Sequence, residues 1–296
     1  MKKILITGST GFIGKSLVNN LLRDKRKVFA VIRKSKKNIK SASMIKKKNK
    51  NFFPIFFGKN QELNTKISSI NPEAVINLAT NYINYHPSNR EIPSIINSNV
   101  IFPTLILDLC CKTKISKIIN ICSIMQCDQN QIDNPLSFYA LSKILFKKTM
   151  SYYQKIHPKK IFLNLYIGDT YGPNDLRQKI LPAIIKNYKR NKKTTILTKN
   201  LEMNILHVED VVNAIKILVD SEKKSNSYLI KSKKKFNLYK VVKKFNLRAE
   251  KKIKLFWLNK KVRNINNNNI KLKPVPRWNQ KFNVINYFYK HLNESY

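Results

Sequence analysis

The stretch ITGSTGFIG, residues 6–14, holds three of the six glycines in a chain of 296 residues. An apolar run from Lys3 to Thr7 leads straight into Gly8-Ser9-Thr10-Gly11-Phe12-Ile13-Gly14, and Lys15 to Arg23 then carries the pattern of an amphipathic helix. Strand, glycine turn and helix in that order leave few folds open. Glycine at the first position permits a tight turn, at the second lets backbone approach a pyrophosphate, and at the third allows the helix to pack closely on the strand. The helix start then points N–H groups and the positive end of its dipole at the phosphates. Gly8, Thr10, Gly11, Phe12, Ile13 and Gly14 are therefore the first candidates for contact with a dinucleotide cofactor.

Downstream, apolar runs at Ile4–Thr7, Val28–Ile32, Phe52–Phe57, Ala74–Ala79, Lys117–Cys122 and Ile161–Tyr166 alternate with helical patterns. That alternation predicts an α/β fold of Rossmann type: a doubly wound parallel sheet of about seven strands, with helices on both faces. After about Tyr171 the alternation loosens. We expect residues 1–170 to form the nucleotide-binding domain, with residues 204–220 returning to its sheet. Residues 171–296 are then a small C-terminal region, mainly substrate-binding, in which Phe236, Phe245, Phe256 and Trp257 pack. The asparagine run at 264–269 reads as a loop.

Composition excludes several function classes. Apolar residues make up 43% of the chain, enough for a full core, and no run of about eighteen of them predicts a membrane span. Cys110, Cys111, Cys122 and Cys127 have neither zinc-ligand spacing nor a disulfide framework, which predicts no metal and a reducing cytoplasm. The formal net charge of +42 raises nucleic acid as a partner. Lysine is nevertheless spread over the whole chain, and its clusters at Lys46–Lys50, Lys189–Lys193 and Lys231–Lys235 lack interleaved aromatics for stacking bases. The charge reads as solvated surface.

The spacing Gly-x-x-Gly-x-x-Gly behind Thr7 resembles the short-chain dehydrogenase/reductase superfamily, and the chain's length resembles its extended branch, the NAD-dependent epimerase/dehydratase family. The resemblance implies a Tyr-x-x-x-Lys pair further on, with a hydroxyl residue before it at a strand end. Both are present. SFYALSK places Tyr139 and Lys143 four residues apart, on one face of a helix. A free phenol has a pKa of about 10, so donating its proton near neutrality requires a cation beside it, which Lys143 supplies. Ser123, ending the strand Lys117–Cys122, is placed to orient a substrate oxygen beside Tyr139.

Further segments extend the resemblance over most of the chain. VINLAT, Val75 to Thr80, is similar to the fourth strand under the cofactor and brings Leu78 and Ala79 to it, with Asn99 matching a helix asparagine beyond. GDTYGPND, Gly168 to Asp175, is similar to the entrance of the sugar site, where Asp169 replaces the epimerases' asparagine. LHVED, with His207, reads as a folded joint and not an acid-base group. These segments together are most similar to the nucleotide-sugar 4-ketoreductases of the CDP-abequose synthase type. Ile124 and Met125 occupy the positions where related dehydratases carry an acidic pair, which removes dehydration from the expectation. Other departures are Lys59 and Asn60 after Gly58, where many relatives have an aspartate, Gly168 where a bulky residue is common, and Met203 where epimerases have an arginine.

At the end of the second strand, Arg33 and Lys34 stand where a carboxylate would accept from the ribose 2′-hydroxyl. A 2′-phosphate meets cations there, which predicts NADP, with NAD as the alternative. For the substrate's diphosphate the candidates are the cations Arg177 and Lys179, with Arg263 and Arg277 in reserve, and Asp169 and Asn174 are further substrate-binding candidates. The expected reaction is NADPH-dependent reduction of a nucleotide-linked 4-keto-6-deoxysugar, and the resemblance implies a homodimer built on the helices around Asn99 and Tyr139. Competing readings are an NAD-dependent sugar epimerase, a catalytically idle NADP-binding regulator and a nucleic-acid binder.

Overall fold

In the computed structural model, which describes residues 2–58, 63–222, 224–260 and 269–293, the chain divides into two compact units. The first comprises Met1–Ile167, Val212–Ile230 and Asn267–Trp278, the second Gly168–Val211, Lys231–Asn266 and Asn279–Tyr296. Lys59, Asn60, Arg263 and residues 264–268 of the asparagine run lie outside the described residues.

The elements begin with β1 (Lys3–Thr7), α1 (Phe12–Arg23), β2 (Lys27–Arg33), α2 (Lys36–Lys48), β3 (Phe52–Phe57), α3 (Leu63–Ile70), β4 (Ala74–Asn77) and α4 (Ile92–Ile96). There follow α5 (Phe102–Cys111), β5 (Lys117–Ser123), β6 (Cys127–Asp128), β7 (Gln131–Ile132), α6 (Phe138–Ile156), β8 (Ile161–Ile167), β9 (Asp169–Tyr171), α7 (Ile180–Lys189), β10 (Thr194–Ile196), β11 (Glu202–Met203) and β12 (Ile205–His207). The chain ends in α8 (Val208–Asp220), β13 (Asn226–Ile230), β14 (Phe236–Asn237), α9 (Leu238–Arg248), β15 (Leu255–Trp257), β16 (Lys273–Pro274) and α10 (Val284–Asn293).

The first unit is built on an eight-stranded sheet in the order β16-β13-β8-β5-β4-β1-β2-β3, with every neighbouring pair parallel. Strands buried on both faces must be largely apolar, and Ile4–Ile6, Ala74–Ile76 and Ile118–Ile119 are such runs. Pro54, which lacks a donor, sits in β3 at the sheet edge, where one side of the strand needs no partner. The apolar runs are interrupted at one level. Thr7, Asn77, Asn120 and Asn164 lie side by side in register across β1, β4, β5 and β8. They form a buried chain: Thr7 Oγ1 donates to Asn77 Oδ1 at 2.7 Å, Asn77 Nδ2 to Asn120 Oδ1 at 3.1 Å, and Asn120 Nδ2 to Asn164 Oδ1 at 3.2 Å. Each buried amide thereby finds the partner that burial demands.

With so few glycines, helix ends are closed by other means. Lys117 Nζ, from the start of β5, donates to the carbonyls of Leu218, Val219 and Ser221 at the end of α8. Lys160 Nζ does the same for Cys110, Thr113 and Ile115 after α5. Cations belong there, at the negative end of the helix dipole.

One stretch, Ile92–Cys111, is long and apolar enough to cross a membrane by length and composition. It runs through α4, a π-helical segment at Asn97–Ile101 and α5. Ile106, Leu107, Cys110 and Cys111 pack into the core cluster with Leu5, Val75 and Phe146, so its inner face serves the sheet.

The second unit buries Tyr171, Ile184, Phe236, Phe245 and Phe288 in a core of its own. Trp257 packs against that core, whereas Phe256 is exposed, contrary to the sequence expectation. Of residues 204–220, expected to return to the first domain and its sheet, Val212–Asp220 lie in the first unit, whereas the strand at their start does not join the main sheet. β12 pairs with β9 in a two-stranded parallel ribbon, and the strand that rejoins the main sheet is β13. Gly168 explains the switch: a Cβ there would strike the backbone of Asn204, whose carbonyl accepts the Asp169 N–H at 3.0 Å.

Candidate active site

The glycine turn after β1 is fixed by contacts that tolerate no side chain. Gly8 has φ +70°, and a Cβ on it would lie 2.5 Å from Leu78 C and Ala79 N. A Cβ on Gly14 would collide with the Gly8 carbonyl oxygen, so α1 rests directly on the turn. Gly11 differs: its only near neighbour is Gly8 O at 3.2 Å, which leaves its side of the turn open. Leu78 N–H donates to Thr7 O and Ala79 N–H to Thr7 Oγ1, holding the end of β4 against this turn. The N-cap residue of α1 is Gly11, which has no side chain to fill the space before the helix. Ser9 Oγ is buried with no hydrogen-bond partner, an orphaned polar atom inside the loop. A dinucleotide pyrophosphate fits this arrangement, because the glycine turn leaves room for it at the positive end of α1 and it offers an acceptor to the orphaned hydroxyl.

Arg33 and Lys34 are exposed at the end of β2. Ser35 caps α2, its Oγ accepting from Asn38 N–H at 3.2 Å, and the first turn of α2 holds no acid.

Ser123 ends β5 and opens a single 3-10 turn, Ile124–Gln126. Its N–H donates to Gln126 Oε1 at 2.8 Å and its Oγ accepts from Met125 N–H at 3.2 Å. Gln126 is wholly buried and locks this turn as a capping box, a role readable in the S-x-x-Q pattern of the sequence. α6 starts where Ser137 Oγ accepts from Ala140 N–H, which puts Tyr139 in its first turn and Lys143 one turn on.

Tyr139 is 8% exposed and Lys143 4%. Burial holds the Lys143 ammonium below the usual lysine range, opposed in part by Cys122. Burial also pushes the Cys122 thiol up to about 12, so this neighbour of Lys143 is neutral.

Asn99, expected as a cofactor contact, is turned inward. Its Nδ2 donates to Asn81 O and Ser142 Oγ, and its Oδ1 accepts from Asn81 N–H at 2.6 Å and Thr80 Oγ1 at 3.2 Å. Ser142 Oγ in turn donates to Tyr139 O at 2.7 Å. One buried amide thus ties the segment after β4 to the turn of α6 that carries Tyr139. Tyr82, on that segment, meets Tyr139 edge-on, with ring centroids 4.9 Å apart and planes at 79°. Among thirteen tyrosines nothing in the sequence singled it out.

In the second unit, Arg177 is committed to the protein. Its Nε and Nη2 grip Asp175 at 2.7 Å, and Nη2 also donates to Thr170 O. Lys179 pairs with Asp169 at 3.2 Å. Asn174 occupies left-handed backbone, φ +60°, and so does Arg277 of the first unit, φ +61°. His207 is buried, stacked on Phe282 at 4.1 Å and flanked by Tyr171 and Tyr287, with Nδ1 accepting from Glu209 N–H. Burial lowers it to about 4, the state of a packed neutral ring.

Residues 4–230 match the NAD dependent epimerase/dehydratase family. Among similar proteins, CDP-abequose synthase of Yersinia pseudotuberculosis is 27% identical over 224 residues, 74% of this chain and 74% of its own. That of Salmonella muenchen is 29% identical over 73% of this chain and 70% of its own. Among solved structures, UDP-glucuronic acid 4-epimerase from Bacillus cereus, in complex with UDP-glucuronic acid and NAD, superimposes with a TM-score of 0.81 over 98% of each chain at 17% identity. At that identity the likeness is one of fold.

Proposed function

The chain belongs to the NAD dependent epimerase/dehydratase family, and within it we propose that this enzyme reduces the 4-keto group of a nucleotide-linked 4-keto-6-deoxysugar with NADPH. The observation that carries the reading is that Tyr139 and Lys143 are both buried one turn apart on α6, with Ser123 at the end of β5 and the neutral thiol of Cys122 facing the ammonium's field. The CDP-abequose synthases among the relatives support the substrate class.

When bound, the reduced nicotinamide supplies the hydride. Ser123, its Oγ held by Met125 N–H, donates its own hydrogen to the keto oxygen and orients it. Tyr139 delivers its phenolic proton to the oxygen as negative charge develops there, and Lys143 stabilises the phenolate that remains. The half-buried Ile124 and Met125 beside Ser123 bring no carboxylate, so no side chain of that turn removes a proton from the sugar. The basic group Arg33-Lys34, with an acid-free start to α2, favours the 2′-phosphate of NADPH over the bare ribose of NADH. Asp169 and Asn174 are the proposed substrate contacts of the second unit, and Arg177 and Lys179, each paired with a carboxylate of the chain, are withdrawn from that role.

We further read the protein as a cytoplasmic homodimer. Ile101 and Leu105 on the α5 side and Leu141 and Leu145 on α6 are exposed at 47%, 58%, 38% and 42%, an apolar surface at helical spacing that a second copy would cover.

The test mixes the enzyme and NADPH with CDP-, dTDP-, GDP- and UDP-linked 4-keto-6-deoxysugars and follows absorbance of the reduced nicotinamide. Stoichiometric oxidation with one donor is expected, with Tyr139→Phe lowering kcat by about 10²–10⁴-fold. Sugar interconversion without net oxidation of NADPH would instead make the protein an epimerase.

A further inference from the structure

We propose that Tyr82 is a positioning residue for the reaction, its ring holding the Tyr139 ring in the orientation from which the proton is delivered. The inference rests on the reading of Tyr139 as proton donor. Tyr139 is nearly closed from solvent, and the ring in T-shaped contact with it belongs to a residue that is 41% exposed. An edge-to-face pair fixes the angle of both rings, because the positive edge of one seeks the negative face of the other. A phenol has only two side-chain torsions, and the T-contact restrains both for Tyr139 at once.

Tyr82 is itself held in place by the backbone before it. Asn81 exchanges two backbone hydrogen bonds with the Asn99 amide, at 2.6 and 3.0 Å, and its Nδ2 donates to Ser94 Oγ at 3.2 Å. The same Asn99 amide reaches α6 through Ser142, whose hydroxyl donates to the carbonyl of Tyr139. The segment just before Tyr82 and the carbonyl of Tyr139 are thus tied to one buried amide, and the two rings meet edge to face. Such a double attachment registers one ring against the other, whereas a tyrosine covering Tyr139 by chance packing would need no anchored segment behind it.

The contribution expected from a ring pair of this kind corresponds to about three- to tenfold in rate. The test compares Tyr82→Phe, Tyr82→Leu and Tyr82→Ala with the unchanged enzyme, using NADPH and CDP-4-keto-6-deoxyglucose. The expected result is a kcat lowered about three- to tenfold in Tyr82→Ala and Tyr82→Leu, with KM and NADPH affinity within twofold, and restored by Tyr82→Phe, which keeps the ring. A merely structural role would lower melting temperature and active fraction in all three. In parallel, the ring-proton resonances of Tyr139 should lose a ring-current shift in Tyr82→Leu and keep it in Tyr82→Phe, a readout that needs no substrate. Unchanged kcat in Tyr82→Leu while Tyr139→Phe is inactive would overturn the positioning role alone, as would a Phe variant no better than Leu. An active Tyr139→Phe would overturn the underlying reading. Unshifted Tyr139 resonances in Tyr82→Leu would show that the ring contact does not persist in solution, and would overturn the inference whatever the substrate.

Discussion

In the first unit the buried ammonium of Lys143 has a neutral thiol as its neighbour, whereas in the second the guanidinium of Arg177 is gripped by Asp175 and the amine of Lys179 leans on Asp169. All three were read from the sequence as groups that meet a ligand. In a chain with 58 Lys and Arg against 16 Asp and Glu, where a cation sits says little about its work. What decides is where the few carboxylates go. A positive charge paired with its own carboxylate has already lost most of its pull on an anion, while one held among neutral groups keeps its field for whatever enters.

The largest effect that tests this contrast lies in the glycine turn, where the first unit allows no adjustment. Gly14→Ala drives a Cβ into the Gly8 carbonyl oxygen, and backbone cannot step aside as a flexible side chain can. Separating α1 from the turn costs about 1–3 kcal/mol, by the usual penalty for overpacking. NADPH affinity, followed by nucleotide fluorescence, is expected to fall by up to about a hundredfold, the equivalent of that upper figure. Gly58→Ala is the internal control: among the described residues no atom lies within 4 Å of its Cβ, and it should bind like the unchanged enzyme. Equal behaviour of the two variants would remove the steric account of the turn.

Which features were legible follows from how far apart their determinants stand. The tight turn at Gly8 and Gly14 and the placing of Tyr139 and Lys143 one helical turn apart are set by local backbone geometry, and spacing alone makes that geometry legible. The strands appeared nearly where the apolar runs lie, Phe52–Phe57 with both ends correct, because burial on both faces writes itself into every residue. The row Thr7–Asn77–Asn120–Asn164 was invisible. Its members are some 40 to 70 residues apart, and only register aligns them. β12 misled for a related reason: three residues carry too little pattern to show whether they join β9 or the main sheet. The amide of Asn99 meets Thr80, Asn81 and Ser142, partners that its spacing did not announce, since spacing places a residue without telling which way its amide turns.

His207 sharpens the comparison from the other side, as a second-unit group whose ordinary chemistry burial suppresses. Its folded value of about 4 lies below the unfolded value of about 6.5, so unfolding takes up a proton between them. Its contribution to stability is therefore complete above about pH 6.5 and is lost progressively as pH falls toward 4, by about 3 kcal/mol at most. Glu209 opposes the shift and His291 adds to it, while the raised carboxyl of Asp210 titrates in the opposite sense. His207→Asn isolates the effect, because its Oδ1 can still accept from Glu209 N–H. Melting temperature plotted against pH is expected to lose slope between pH 6.5 and 4 in that variant. An unchanged slope would show that the ring is not the group being titrated.

The smallest effect belongs to Arg177, and it separates the two readings of that cation. Asp175 is 2% exposed at its side chain, and Arg177 supplies most of what makes that burial tolerable. Arg177→Ala leaves the carboxylate without its partner, at a cost of about 1–2 kcal/mol, since the arginine is itself one-third exposed and water relieves part of the loss. The double variant Arg177→Met with Asp175→Asn removes both charges together and should recover most of that loss, a coupling read directly from a double-mutant cycle of denaturant unfolding. Through both variants KM for the nucleotide sugar should stay within about twofold, because the guanidinium is occupied by Asp175 and Thr170. A tenfold rise in KM with stability intact would return Arg177 to the substrate, and the division between paired and unpaired cations would then fail at its clearest case.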